Sequence, residues 1–363
     1  ARPEAARAEA RASLLQGGGG GERSHLSSHV RYTYTVDLDL PPEERWKGLY
    51  LRYRERVLGM LWMLMPKTPE EKRRRDDFIS NFDLGADEVY LAEFRGILDA
   101  VNDSRLELND LLWVELGYEH GESLGCTAVL AANENGTVYH GRNLDLPHAA
   151  MLMKTLVDIT FTRGGDPIAY TTTFPFMVGI HTAIRLDGYS VAQNTRHGVE
   201  DAAGNLQAAR RGARPFQFFL RHLVDEVQDW KTAVKRTASA YFAAPQYFTI
   251  AGPRPYEGAL ITRDREGNDE EPYANVLMLS PQIDRWYIVQ TNDDANHPPL
   301  DHRRGAALQK LHKMRPPEVN QDSMTEVMLI DPVRNDKTIF TWVVEPKANK
   351  RRMLLGNETT SPF

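Results

Sequence analysis

Residues 121–147 read GESLGCTAVLAANENGTVYHGRNLDLP and hold the only cysteine of the chain, Cys126. Two short apolar runs, 127–132 and 137–140, flank Asn135-Gly136, a dipeptide suited to a two-residue hairpin turn. The stretch predicts strand, turn, strand. With Asn135 and Gly136 as the loop, Glu134 pairs with Thr137 and Cys126 falls opposite Asp145. Directly opposite residues share a face, with Cβ atoms roughly 4.5–5.5 Å apart, so a thiol would face a carboxylate. On the same register Arg142 pairs with Val129 and points to the other face, unless Gly141 introduces a bulge that turns it back. The sequence leaves both arrangements open.

Outside this stretch, 363 residues with 41% hydrophobic content can fill a large core. A net charge of -6 and the absence of a basic stripe argue against nucleic acid as a partner. A single cysteine makes neither an internal disulfide nor a cysteine-rich zinc site, and no metal or cofactor is predicted. His25 and His29 stand four apart, but in so polar a segment they read as solvated histidines. Sequons at Asn102, Asn135 and Asn357 are compatible with a secretory route. Neither a signal peptide nor a run of about 18 apolar residues is recognisable, which fits a mature form or a non-secreted protein.

Residues 1–30, with five glycines from Gly17, read as a disordered head. Alternation over 30–40 predicts a strand, and Pro41-Pro42-Glu43-Glu44 opens a helix running towards Pro66. The end of that helix, Val57 to Met65, is apolar all round. It reads as a buried helix end, with an exposed patch for peripheral membrane contact as the alternative. Helices are predicted over 67–80 and 86–109, then strands over 156–161, 168–174, 189–192, 258–262, 276–279, 286–290 and 338–344. Pro215 to Tyr241 is a helical block between the two strand groups. Such grouping favours an α+β arrangement, two layers of mostly antiparallel sheet with helices outside.

Two nucleophiles compete. Gly121-Glu122-Ser123-Leu124-Gly125 matches the G-x-S-x-G elbow, which needs a strand before the serine and a helix after it, whereas a β-rich run follows Ser123. Cys126 is either that run's nucleophile or an inert buried thiol.

The order of motifs decides between them. Cys126-Thr127, a strand, Asn135-Gly136 and His140-Gly-Arg-Asn-Leu-Asp145 come first; Gly258 to Asp264, Arg285-Trp-Tyr-Ile-Val-Gln-Thr-Asn292 and Asp301-His-Arg-Arg304 follow. The set resembles the acid ceramidase and N-acylethanolamine acid amidase family of N-terminal nucleophile hydrolases, within the choloylglycine hydrolase superfamily. The resemblance runs from about residue 33 to 345. It implies an αββα sandwich of two antiparallel sheets behind a mostly helical propeptide, residues 31–125, with the catalytic segment at 126–363. In family terms these are alpha and beta fragments that stay associated. It also implies self-cleavage between Gly125 and Cys126, freeing an α-amine that serves as base for the thiol, and a fatty-acyl amide as substrate. Arg142 is expected to position thiol and carbonyl, Asp145 to orient the amine, Asn292 to lend its amide to the oxyanion hole, and Arg303 to complete the polar site. Asn194, Phe174 and Met177 are expected to contact substrate, and the setting implied is lysosomal or secreted.

The chain departs from the family pattern in places. Asn194-Thr195-Arg196 stands where Asn-Glu-Arg is usual, and Asp301-His302-Arg303-Arg304 where Asp-Asp-Arg-Arg is usual. Two alternatives stand beside the acyl-amidase reading: a member that has lost catalysis and only binds lipid or membrane, to which Thr195 and the Val57–Met65 patch point, or an amidase acting on penicillin V or bile-salt conjugates.

Overall fold

A computed structural model describes residues 32–120, 125–197, 201–265, 273–296 and 301–358. The predicted head, with His25 and His29, lies outside the described residues, as do Ser123 and the last residue of the third sequon.

The first segment carries β1 (Tyr32–Asp37), α1 (Lys47–Leu64), α2 (Pro69–Ile79), α3 (Glu88–Val101) and α4 (Leu108–Glu115). Next come β2 (Gly125–Ala132), β3 (Val138–Asp145), α5 (Ala149–Leu152), β4 (Val157–Arg163), β5 (Asp166–Thr173), β6 (Thr182–Arg185) and β7 (Tyr189–Thr195). A helical block follows, α6 (Ala202–Arg210), α7 (Phe216–Glu226) and α8 (Trp230–Ser239), and then β8 (Gln246–Ala251), β9 (Gly258–Arg263), β10 (Val276–Met278) and β11 (Tyr287–Gln290). The chain continues through α9 (His302–His312), α10 (Gln321–Leu329), β12 (Thr338–Glu345) and β13 (Lys350–Leu355).

Local chemistry sets several boundaries. Thr68 and Glu71 form a reciprocal capping box and Pro69 takes the first helical position of α2. The helix expected over 86–109 is two helices, because Asn102 adopts a left-handed φ of 48° and closes α3. The block 215–241 is also divided: Val227 is extended, and Asp229 restarts the chain as α8 by accepting the Thr232 N–H. Strands β6, β8 and β13 were not predicted. The first is only four residues long, and β13 (KRRMLL) carries three consecutive cations.

Two sheets form. One has the order β1-β4-β5-β6-β7-β8-β9-β10, the other β11-β2-β3-β12-β13. Every pairing is antiparallel except β1 with β4. Leu130, Ala132 and Val138 meet Tyr247, Ala251 and Leu260 between the sheets. Leu311 of α9 and Val327 and Met328 of α10 cover Val129, Ala131 and Val343 on the outer side of the smaller sheet. On the larger sheet α7 packs on β6 and α8 on β8 and β9. The result is the α+β, αββα sandwich, and it explains why β2 and β3 are buried along both faces.

The segment before Gly125 is built into this body. Trp46 meets Phe161 edge-on at 6.4 Å. Arg221, fully buried, pairs with Glu93 and Asp225 at 3.0 Å each, while the Trp46 indole N–H donates to Glu93 Oε2 at 2.6 Å. In the Val57–Met65 stretch, Val57, Leu58, Met60, Leu61 and Met65 are buried and Met63 is half exposed. The stretch is therefore mostly a buried helix end. Among the described residues no helix is long and apolar enough to cross a membrane.

Candidate active site

The β2–β3 hairpin closes over three residues, not two. The Asn133 N–H donates to Thr137 O at 3.0 Å, the Gly136 N–H to Asn133 O at 2.8 Å, and Gly136 sits at φ 77°, a turn followed by a left-handed residue. Asn133 Oδ1 holds the loop by accepting the N–H groups of Asn135 and Thr137. The additional loop residue shifts the register by one. Ala132 pairs with Val138, Ala128 with Arg142, Cys126 with Leu144 and Gly125 with Asp145. Two expectations are corrected by this. Asp145 does not stand opposite the thiol, and Arg142 reaches the thiol's face without a bulge, since Gly141 pairs with Val129 in unbroken register.

Cys126 is fully buried. Burial pushes its thiol pKa up; the Arg142 guanidinium opposes this most strongly, Asp145 adds to the rise, and Arg303 lowers it. Arg142 is itself buried and held on three sides: its Nη1 donates to Asn194 Oδ1 at 2.8 Å and to Asn143 O at 3.2 Å, and its Nε donates to Thr182 Oγ1 at 3.3 Å. Its Nη2 has no hydrogen-bond partner among the described residues. That leaves one buried cationic donor on the face the thiol shares.

Asp145, Asn292 and Arg303 gather instead on the main chain around Gly125 and Cys126. The Cys126 N–H donates to Asn292 Oδ1 at 2.8 Å. Arg303 Nη1 donates to Cys126 O at 3.1 Å and to Asp145 Oδ2 at 2.9 Å, and its Nη2 donates to Asn292 Oδ1 at 2.8 Å. Gly125 leaves room for this approach: a Cβ there would lie 3.1 Å from Asp145 Cβ and 3.2 Å from Arg303 Nη1. The side-chain amide of Asn292 donates to Thr195 O at 2.9 Å. In the uncut chain Asn292 thus accepts from the Cys126 N–H through its carbonyl oxygen while its amide is taken up by the Thr195 carbonyl.

Sequence reasoning missed the residues that hold these groups. Asp301 grips Arg303 through Nε and Nη2, and Thr338 and Asn335 donate to Asp145 at 2.7 and 3.3 Å. Asp301 lay inside a quoted motif; Asn335 and Thr338 carried no signal, because residues 190 and 193 positions beyond Asp145 share no local pattern with it. Thr195 ends β7 with its hydroxyl buried and unpartnered among the described residues.

Leu144, the cross-strand partner of Cys126, lines a cavity of about 410 Å³ with Phe174, Phe176 and Met177. Leu64, Val114 and Tyr118 of the first segment form part of its wall. Phe174 and Met177 are therefore brought beside the thiol strand, and Asn194 is placed behind Arg142.

The model described as the beta subunit of N-acylethanolamine-hydrolyzing acid amidase matches residues 32–64, upstream of Cys126. The Oryctolagus cuniculus N-acylethanolamine-hydrolyzing acid amidase is 35% identical over 272 residues, covering 73% of this chain and 72% of that protein. The chain belongs to the acid ceramidase and N-acylethanolamine acid amidase family. Within it, the Caenorhabditis elegans N-acylethanolamine-hydrolyzing acid amidase is 28% identical across 86% of this chain and 88% of its own length. Acid ceramidase of Pan troglodytes is 26% identical across 86% and 82%. A solved structure of the Caenorhabditis elegans ortholog superposes with a TM-score of 0.56 at 31% identity, covering 61% of this chain and 93% of that one. The relatives and the solved structure thus support the family and the αββα sandwich.

Proposed function

We propose that the protein is a cysteine amidase of fatty-acyl amides, N-acylethanolamines or ceramides, activated by cutting its own chain between Gly125 and Cys126. The observation that carries this reading is the convergence of Asn292, Arg303 and Asp145 on the main chain of Gly125 and Cys126. Such a cluster is needed where a peptide bond is cut and its amine retained.

In the cut, the Cys126 thiol adds to the Gly125 carbonyl carbon and its proton passes to the Cys126 nitrogen. The C–N bond breaks, Gly125 is left as a thioester, and water hydrolyses that to a carboxylate and a free thiol. The new α-amine titrates near pH 8 in its unperturbed state. Asn292 Oδ1, already an acceptor for the Cys126 N–H, holds it. In turnover the amine takes the thiol proton as sulfur adds to the substrate carbonyl, and passes it to the leaving amine. Arg142 Nη2 is the donor free to meet the developing oxyanion. A donor of that kind is typically worth about 2.7–4 kcal/mol of barrier. Water then releases the fatty acid from Cys126.

The acyl chain fills the cavity beside Leu144. Because Leu64, Val114 and Tyr118 form part of its wall, activity requires that residues 31–125 stay bound after the cut, which the buried Arg221–Glu93 pair supports. A lysosomal or otherwise acidic setting fits Glu115 and Glu119, which burial pushes up to about 8 and about 7. Peripheral membrane contact through Val57–Met65 would rest mainly on Met63.

Mass spectrometry of protein held at acidic pH tests this: a new N-terminus at Cys126 is expected, with Cys126→Ala uncut and inactive and Ser123→Ala normal on an acyl-amide panel. Full amidase activity from an intact chain would sink the mechanism.

A further inference from the structure

One polar group in the cavity beside Leu144 is not used by the proposed reaction. His181, between β5 and β6, lines that cavity and is 4% exposed. Its ring is held between Tyr118 and Phe216, with centroids at 5.0 and 5.4 Å. Its Nε2 is buried and has no hydrogen-bond partner among the described residues. Leu144, Leu152, Phe174, Phe176 and Met177 in the lining offer no strong donor or acceptor, and Tyr118 and His148, which also line the cavity, make no hydrogen bond to this nitrogen. A ring nitrogen buried unpaired costs free energy that a leucine at the same place would not.

We propose that His181 is a specificity residue that hydrogen-bonds a hydroxyl on the acyl chain, so that the preferred substrates are hydroxylated fatty-acyl amides. This rests on the amidase reading for the identity of what fills the cavity. Chain position follows from the neighbouring residue. The neighbouring Thr182 accepts from Arg142 Nε at 3.3 Å, which brings His181 near the guanidinium that shares the thiol's face, so the hydroxyl is assigned to the carbons nearest the carbonyl. Burial and the nearby Arg142 hold the imidazole pKa down to about 3, which keeps the ring neutral in acidic surroundings. A neutral imidazole has one donor and one acceptor nitrogen, and a hydroxyl can serve either.

Binding to the fatty acids themselves, which needs no turnover, tests the proposal on the full chain. Calorimetry would compare palmitic acid with its α-hydroxy, β-hydroxy and terminally hydroxylated forms. The α- or β-hydroxy acid is expected to bind about tenfold tighter than palmitic acid, the terminal one no tighter. His181→Leu abolishes the difference; His181→Gln, which keeps a donor and an acceptor, retains part of it. Equal affinities in the wild type, or a preference that survives His181→Leu, would overturn the assignment. A wild-type protein that hydrolyses no acyl amide yet shows the His181-dependent preference refutes the amidase reading and leaves standing only the contact between His181 and a hydroxylated acyl chain.

Discussion

Asn194 Oδ1 accepts from Arg142 Nη1 at 2.8 Å, while the Asn194 amide is fixed by the main-chain carbonyls of Gln290 and Thr291 at 3.0 Å each. The guanidinium that most lowers the Cys126 thiol pKa is thereby tied to a neighbouring strand. Asn194→Ala frees that guanidinium. The thiol pKa should then rise, so the half-point of Cys126 alkylation by iodoacetamide moves to higher pH and kcat falls by tenfold or more, roughly 1.4 kcal/mol of barrier. An alkylation profile identical to wild type would remove Asn194 from the site.

Arg303 joins three oxygens, those of Cys126, Asp145 and Asn292. A lysine keeps the charge but not the planar fork that reaches all three. Arg303→Lys is expected to slow both the appearance of the Cys126 N-terminus and amide turnover by at least about tenfold, measured by timed mass spectrometry and steady-state rates. Wild-type kinetics in that variant would mean that the fork is dispensable.

Gly136 carries the register. Its φ is 77°, and a Cβ there would come within 2.6 Å of Pro255 Cβ. Gly164 shares a left-handed φ of 61° but has nothing within 4 Å. Gly136→Ala should therefore cost more than Gly164→Ala, on the order of 1–3 kcal/mol for the strained position, read by urea denaturation. Equal costs would show that the Pro255 contact relaxes freely.

Glu115 accepts the N–H groups of Val178 and Gly179 at 3.0 and 3.1 Å, and Glu119 accepts from Gln217 Nε2 at 3.0 Å. Burial nevertheless dominates and raises both pKa values, to about 8 and about 7. The folded state therefore holds protons that the unfolded chain releases near pH 4.5. The stability these groups contribute is complete below about pH 4.5 and is lost as pH rises through 7 and 8. Thermal melts from pH 4.5 to 8 should show Tm falling, with a shallower slope in Glu119→Gln. A rising Tm over that range would contradict the burial account.

Arg221→Leu leaves Glu93 and Asp225 buried with fewer partners. Loss of one member of a buried pair typically costs about 3–5 kcal/mol. Chemical denaturation should show a loss of that size, and the cut protein should part into its two pieces on gel filtration. Pieces that stay together would place the hold between them elsewhere.

Residues close in sequence determined much of this protein by themselves. The apolar runs around Asn133 to Thr137 specified a hairpin, and the ordered motifs from Cys126 to Arg304 specified the family and the side chains that meet. Local pattern could not set the register. A two-residue and a three-residue loop differ by one position, and a strand's side chains change face with every residue; Asn133 as a loop anchor and the left-handed Gly136 settled that choice only in the folded hairpin. Tertiary structure also decided what surrounds the thiol. Asn335, Thr338 and Asp301 reach the site from distant segments, and His181 was placed in the cavity by Tyr118 and Phe216, because packing between sheets brings together residues that share no periodicity. The motif marks Cys126 as the candidate nucleophile, but its pairing with Leu144, and Arg142 on the same face, came from the register of β2 against β3.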